Sequence, residues 1–355
     1  MSSNELPMLR GRGASWNPPN RFERLHVDRS EWHDPDDPPP ETVLLEDATR
    51  SILAHNDSPD VGFDVGINPY RGCSHGCVYC YARPTHEYLG FSAGLDFETR
   101  ILVKRRAPEL LRDALSSKRW RPRVIGLSGN TDAYQPAERR LRITRRCLEV
   151  LAEFRNPVAI VTKSYLVGRD IDLLAELAEH RAVAVVLSIT SLRNEVQRVM
   201  EPRAATPSRR LGAIRVLANA GIPVGVNVAP VVPGLTDHEV PHILEAAAEA
   251  GASFAGYIVL RLPHGVKDIF AEWLGRHFPE RRDKVLNRVR ELRGGKLYDA
   301  RFEVRGRGEG PWADQLSALF RVTCDRLGLD RPPRLSAEAF RPARGATGPQ
   351  MELFS

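Results

Sequence analysis

Gly66-Ile-Asn-Pro-Tyr-Arg-Gly-Cys-Ser-His-Gly-Cys-Val-Tyr-Cys-Tyr-Ala82 carries Cys73, Cys77 and Cys80, three of only five cysteines in 355 residues, as a Cys-x3-Cys-x2-Cys array. A rare residue clustered at fixed spacing needs a cause, and soft thiolates held together share metal. Iron–sulfur clusters are usually held by four cysteines, so a loop of three leaves one iron open to another ligand. Gly72 and Gly76 let the backbone curl tightly around an inorganic core, because glycine accepts φ angles that other residues resist. Zinc held by the three cysteines and His75 is the competing reading. Zinc modules normally split their ligands into two pairs across an intervening stretch, whereas here all four crowd into one turn. On the cluster reading His75 is a loop residue without an assigned chemical role.

The other two cysteines, Cys147 and Cys324, have apolar residues at helical spacing around them and read as buried helix-face residues, behaving as small hydrophobes. They leave no set for a second all-cysteine cluster. Apolar residues make up 42% of the chain, enough for a large core. No run approaches the ~18 uninterrupted apolar residues of a spanning helix, so no membrane partner is expected. The start, Met1-Ser-Ser-Asn-Glu-Leu-Pro7, lacks a charged-then-apolar secretory pattern. Scarce cysteine and an oxidation-sensitive thiolate group point to the cytoplasm.

Net charge is +6, unevenly spread. Between Arg100 and Arg146 there are 14 Lys/Arg against 4 Asp/Glu, a local +10 that leaves the rest at −4. Such a block can track a phosphate backbone; the plainer reading is a set of solvated arginines on outer helices.

Residues 1–60 read as an arm, partly disordered, with a flexible basic stretch Arg10–Gly13 and an acidic, proline-locked stretch Asp34–Pro40, too polar to order themselves alone. From about residue 61 short β-branched runs alternate with helical patterns, the signature of βα units on a parallel sheet. The strands expected are Val61–Asn68, Arg123–Ser128, Val158–Thr162, Val183–Thr190, Val224–Ala229 and Ala255–Leu260. The helices between them are Pro108–Ser117, Ala137–Phe154, Asp170–His180, Ser208–Ala220 and Asp237–Ala250. Residues 266–355 form a mainly helical extension that is expected to cap the barrel.

The cysteine spacing, with Tyr79 and Tyr81 flanking the last cysteine, resembles the signature of the radical S-adenosylmethionine (radical SAM) family. The context Asn68-Pro69-Tyr70-Arg71-Gly72-Cys73 and Tyr79-Cys80-Tyr81-Ala82 is similar to the branch related to spore photoproduct lyase, a DNA-repair enzyme. The resemblance implies an α/β fold, a partial (β/α)6 radical SAM barrel over residues 61–265, with the cysteine loop after the first strand, where such barrels place active sites. It implies one [4Fe–4S] cluster on Cys73, Cys77 and Cys80, S-adenosylmethionine on the open iron, and a reductant such as flavodoxin or ferredoxin.

The same resemblance supplies candidate cofactor contacts. Where the family has a Gly-Gly-Glu-like motif, this chain has Gly129-Asn130-Thr131-Asp132, so Asn130 or Asp132 would accept from the α-ammonium group; a turn with an Asx motif is the alternative. Lys163, ending the third strand, would pair with the cofactor carboxylate, against a snorkelling surface lysine. Ser188 resembles a ribose contact, against a plain strand serine. Arg203, oriented by Glu201, would fork onto the carboxylate, while Arg209 and Arg210 open a helix and are expected on the surface. Val228 and Ala229 would line the adenine. Arg261 is a candidate for the substrate.

Reduction of the bound sulfonium would release methionine and a 5′-deoxyadenosyl radical able to abstract hydrogen, chemistry that belongs to the cofactor. The repair enzyme's hydrogen donor is a cysteine near the end of strand two, and Leu127–Tyr134 contains none. Tyr134 or Tyr257 would have to relay hydrogen, unless both are packed aromatics. A nucleic-acid-linked substrate follows from the basic block and the branch resemblance. Modification of a peptide or small metabolite, and a non-catalytic iron–sulfur or zinc module, remain open.

Overall fold

The computed structural model describes residues 9–24 and 40–342. Six strands run parallel in sequence order: β1 (Val65–Ile67), β2 (Ile125–Leu127), β3 (Val158–Thr162), β4 (Val183–Ser188), β5 (Val224–Val231) and β6 (Phe254–Val259). A short strand, Leu53–His55, pairs antiparallel outside β1. The register sets Ile67 beside Leu127, Leu127 beside Ile160, Ile160 beside Val185 and Leu187 beside Val226. These side chains are all buried, and near-continuous Val/Ile/Leu runs are what a parallel sheet covered on both faces requires.

The crossovers are α1 (Ala107–Ser116), α2 (Ile143–Phe154), α3 (Ile171–Glu179), α4 (Pro207–Asn219) and α5 (Val240–Glu249). The sheet is an open, partial (β/α)6 barrel, with loops at the C-terminal ends of its strands free to carry a site. The expected helix Ala137–Phe154 is divided: Glu138–Leu141 ends at Arg142 with φ +51°, and α2 begins afterwards. Glu138, in the first turn of the expected helix, accepts from the backbone amides of Thr144 and Arg145 at 3.0 and 3.3 Å. Its carboxylate thereby satisfies first-turn donors that α2 cannot satisfy itself.

A second small sheet, not anticipated, sets Arg100–Val103 between Val43–Glu46 and Tyr70–Arg71. Tyr70–Arg71 leads directly into the cysteine loop, so that loop hangs between β1 and this sheet. The C-terminal helices are α6 (Val266–His277), α7 (Pro279–Glu291) and α8 (Pro311–Leu327). Beyond α8 the chain covers the β6 edge, with the Ala255 amide donating to Leu329 at 3.0 Å. Trp273 of α6 donates to the Val199 carbonyl at 3.0 Å, and α6 and α7 share a core with Val78, Tyr79 and Met200. No helix among the described residues is long and apolar enough to cross a membrane.

The Asp34–Pro40 stretch lies outside the described residues except for Pro40. The flexibility expected of Arg10–Gly13 does not extend to Arg12 and Gly13. Arg12 donates to the carbonyls of Glu98 and Pro40 at 3.2 and 2.6 Å, and the Gly13 and Ala14 amides donate to the Glu98 carboxylate at 3.0 and 2.8 Å. Buried acceptors, not local propensity, hold this strap. A Cβ on Gly13 would lie 1.8 Å from the Gly76 carbonyl oxygen, inside the cysteine loop. Gly13→Ala is therefore expected to cost about 1–3 kcal/mol, as overpacking does. Urea unfolding with an unchanged midpoint would show the strap is not held there.

Candidate cluster site

The loop leaves β1 at Asn68, whose side-chain oxygen accepts from the Gly129 and Asn130 amides at 3.1 and 3.0 Å, joining it to the end of β2. Gly72 and Gly76 have φ of +77° and +71°, the left-handed geometry the sequence suggested. The Cys73 amide donates to Phe97 at 2.9 Å and the Val78 amide to Met200 at 3.0 Å. Gln135 closes the turn, accepting from the Ser74 amide and donating to the Gly72 carbonyl at 3.0 and 3.1 Å. Tyr81 donates to the Gly129 carbonyl. All three thiols are free, with Cys73 and Cys77 buried and Cys80 partly so.

Arg83, wholly buried, braces the loop from behind. It donates twice to the Cys77 carbonyl at 3.0 and 2.9 Å, also to Ala93 and Gly94, and pairs with buried Glu98. A line of hydrogen bonds thus runs from the strap through Glu98 and Arg83 to a cysteine carbonyl. Nothing in the sequence signals this pair, because neither residue has a motif and each alone reads as surface charge.

Asp132 accepts from Thr162 Oγ1 at 2.7 Å, the Lys163 amide at 2.8 Å and the Tyr134 amide at 2.9 Å, and lies 3.4 Å from His75 Nδ1. Its bond to Tyr134 is an Asx turn, the alternative weighed above. Both oxygens are engaged in tying the cysteine loop to β2 and β3. Burial opposes charge on both partners, yet His75 holds Asp132 down to about 2, and Cys73 with Asp132 lifts His75 to about 10. His75, the fourth ligand of the zinc alternative, therefore faces a carboxylate. Among the described residues no three His, Cys, Asp or Glu side chains converge as one bound ion requires. Three soft thiols in one loop are the donor set an iron–sulfur cube takes, each thiolate on its own iron, so they need not converge as the ligands of a single ion do.

Burial pushes the Cys77 and Cys80 thiols up, while the Lys163 ammonium draws both down. That ammonium lies 5.8 Å from the Tyr79 ring centroid, within cation–π range. Ser188 is buried at the end of β4 and Asn130 is exposed after β2. Val228 is buried beside Tyr257 on β6.

Two expectations need correction. Glu201 does not orient Arg203: it pairs with Arg210, takes a hydrogen bond from Tyr79, and accepts from Thr190 at 2.8 Å. Arg210 is buried, not on the surface. An arginine opening a helix looks solvated in a sequence, but a buried carboxylate nine residues earlier demands a countercharge. The Arg203 side chain is exposed and donates to Thr42 Oγ1 at 3.1 Å.

Tyr257 is packed against Phe320 at 4.7 Å, with the Arg307 guanidinium 4.4 Å from its ring centroid. The Tyr134 hydroxyl is buried without a hydrogen-bond partner, and burial with the nearby Asp170 carboxylate raises its pKa. Arg261, just past β6, lies 4.8 Å over the Tyr81 ring with its buried Nε unpartnered. Within the basic block, Arg100, Arg112, Arg123, Arg145 and Arg146 each pair with a carboxylate, so part of the local charge is neutralised.

The family model of the radical SAM superfamily matches residues 67–247. The chain is 40% identical over 232 residues to an uncharacterized protein of Mycobacterium tuberculosis, covering 65% of this chain and 67% of that one. It is 30% identical over 173 residues to an uncharacterized protein of Methanocaldococcus jannaschii, covering 49% and 62%. In fold it is similar to spore photoproduct lyase complexed with dinucleoside spore photoproduct, with TM-score 0.55 and 16% identity over 80% of this chain and 79% of that one.

Proposed function

The chain belongs to the radical SAM superfamily, and from that premise we propose that it is a cytoplasmic enzyme holding one [4Fe–4S] cluster on Cys73, Cys77 and Cys80, acting on a nucleic-acid-linked substrate. When bound, cluster and S-adenosylmethionine together supply an electron, from a flavodoxin- or ferredoxin-type donor, and a 5′-deoxyadenosyl radical for hydrogen abstraction. The observation that supports this most is the braced loop: three free thiols at the C-terminal end of β1, fixed by Arg83, Gln135 and Asp132.

The protein's own part is binding and exclusion. Lys163 just past β3, Ser188 at the end of β4 and Val228 within β5, with Asn130 after β2, form the cofactor wall in this reading. Lys163 offers an ammonium to a carboxylate beside the thiols it already influences. Asp132 acts as a positioning residue, holding the loop against β3. Ala14 of the strap and Trp273 share one buried apolar cluster with Cys77, Val78 and Tyr79, which in this reading keeps water from that side of the loop. Tyr134 and Tyr257 stay outside the proposed machinery, since one lies against Asp170 and the other is packed between Phe320 and Arg307. Arg261 takes the substrate role: its guanidinium stands over Tyr81, next to Cys80, with an unpartnered Nε, and its planar fork suits phosphate oxygens.

Anaerobic reconstitution tests the proposal. The expected protein carries iron and acid-labile sulfide and forms 5′-deoxyadenosine from S-adenosylmethionine under dithionite. Single-stranded or duplex polynucleotide at low salt should stimulate that formation, and Arg261→Gln should raise the polynucleotide KM roughly 10-fold, as loss of a charged hydrogen bond does. Protein without sulfide overturns the cluster reading. Sulfide and turnover with no polynucleotide binding overturns the substrate reading alone.

A further inference from the structure

Outside the cluster loop, a cavity of about 110 Å³ lies behind His75, against Tyr134, Ser164 and Tyr165 and the turn Arg203–Arg209. A single water needs only ~15 Å³ by this measure. Three arginines line it, Arg139, Arg203 and Arg209, and among the described residues no carboxylate does. Their partners are neutral. Arg139 donates to the Tyr165 hydroxyl at 3.1 Å, and Arg139 and Arg209 both sit on the Tyr165 ring, 5.6 and 4.8 Å from its centroid. Arg203 shares Thr42 Oγ1 with Arg12.

Nearby arginines are treated differently. Arg145 and Arg169 pair with Asp170, and Arg210 with Glu201. Among the described residues the three cavity guanidiniums have no carboxylate partner, and together they concentrate positive charge there. At its edge, burial and then the nearby Arg203 lower the Arg12 pKa, against the pull of Glu98.

The start of α4 adds to that field. Its N-cap, Thr206, lines the cavity yet caps no backbone amide, its hydroxyl bonding Ser208 Oγ instead. Pro207 opens the helix and no acidic residue occupies the first turn. The helix dipole therefore presents its positive end to the cavity. A carboxylate monoanion would match one guanidinium; three forks and a helix end match a multiply charged tetrahedral oxyanion.

We propose that this cavity is a phosphate-binding site, separate from the cofactor wall, in which Arg139, Arg203 and Arg209 grip a phosphate group belonging to a free phosphate or nucleotide or to a polynucleotide backbone. The site does not depend on the cluster, and its test is made by binding alone. Calorimetric titration of the full-length protein with inorganic phosphate, pyrophosphate and a short single-stranded DNA is the experiment. At least one probe should bind, and each of Arg139→Gln, Arg203→Gln and Arg209→Gln should weaken it roughly 10-fold, with the triple variant abolishing it.

Arg140→Gln, on the same exposed turn but not lining the cavity, should leave binding unchanged. Inorganic phosphate binding as tightly as DNA identifies a free phosphate or nucleotide. DNA binding that is tighter, falls with salt and is lost in Arg203→Gln identifies the polynucleotide backbone. No binding by any probe, or binding unaltered in the triple variant at an unchanged melting temperature, overturns the proposal. Should the triple variant melt early, the single variants decide it in the same way.

Discussion

Alanine in place of Cys73, Cys77 or Cys80 is expected to abolish iron–sulfur loading and, with it, all formation of 5′-deoxyadenosine. The effect should be total because the difficult chemistry is the cofactor's, and no other thiol can substitute. Cys147 is wholly buried on α2 and Cys324 is buried on α8; burial pushes both thiols up, Cys324 to about 11. Neither lies in the loop. Cys324→Ala therefore serves as the control and should load iron and sulfide normally.

The three loop positions should also behave alike, which separates a shared cube from a packing role. Cys73 and Cys77 are buried while Cys80 is partly exposed, so packing losses would rank them and ligand losses would not. The measurement is iron and sulfide per chain after anaerobic reconstitution, beside apoprotein melting temperature. A Cys80→Ala variant that keeps sulfide would remove Cys80 from the ligand set.

The barrel was legible because parallel strands announce themselves as uninterrupted β-branched runs. Val158–Thr162 appears in the structure with the expected bounds, and Val183–Thr190 ends two residues early at Ser188. The loop was legible for a different reason: a rare residue at fixed spacing is independent of context. What stayed hidden depends on partners distant in sequence. Strand Arg100–Val103 has no alternation of its own and exists because Val43–Glu46 and Tyr70–Arg71 flank it.

The arginines show the same limit. Arg83, Arg203 and Arg210 are chemically identical in a sequence, yet one braces a cysteine carbonyl, one is exposed beside Thr42 and one neutralises a buried glutamate. Burial of a charged group is decided by whether its counterion folds beside it. Glu98 lies 15 residues from Arg83 and Glu201 nine from Arg210, separations that no helical or strand periodicity reports.

Arg210→Met is expected to cost about 3–5 kcal/mol of unfolding free energy near neutral pH, the penalty of stranding a buried charge. Glu201 and Arg210 are each about 1% exposed. Burial by itself would raise the Glu201 pKa; Arg210 beside it, with Lys163, brings it below the usual 4.5. A carboxyl depressed in the folded state stabilises above its unfolded pKa and loses that contribution as pH falls through the folded value. Without Arg210 burial dominates, the carboxyl titrates upward, and its neutral form is tolerated. The deficit of Arg210→Met should therefore shrink as pH falls from 7.5 toward ~4.5, in the window between the two folded values. Glu201→Gln in the same chain should recover much of the loss at pH 7.5, since the amide can still accept from Tyr79 and Thr190 and can donate toward the Ser188 carbonyl that Arg210 releases. Urea unfolding of the three chains at both pH values decides it: a deficit that grows on acidification, or a double variant no better than Arg210→Met, means the buried pair does not bear the tension between charge and burial that ties Tyr79, and through it the cysteine loop, to β4.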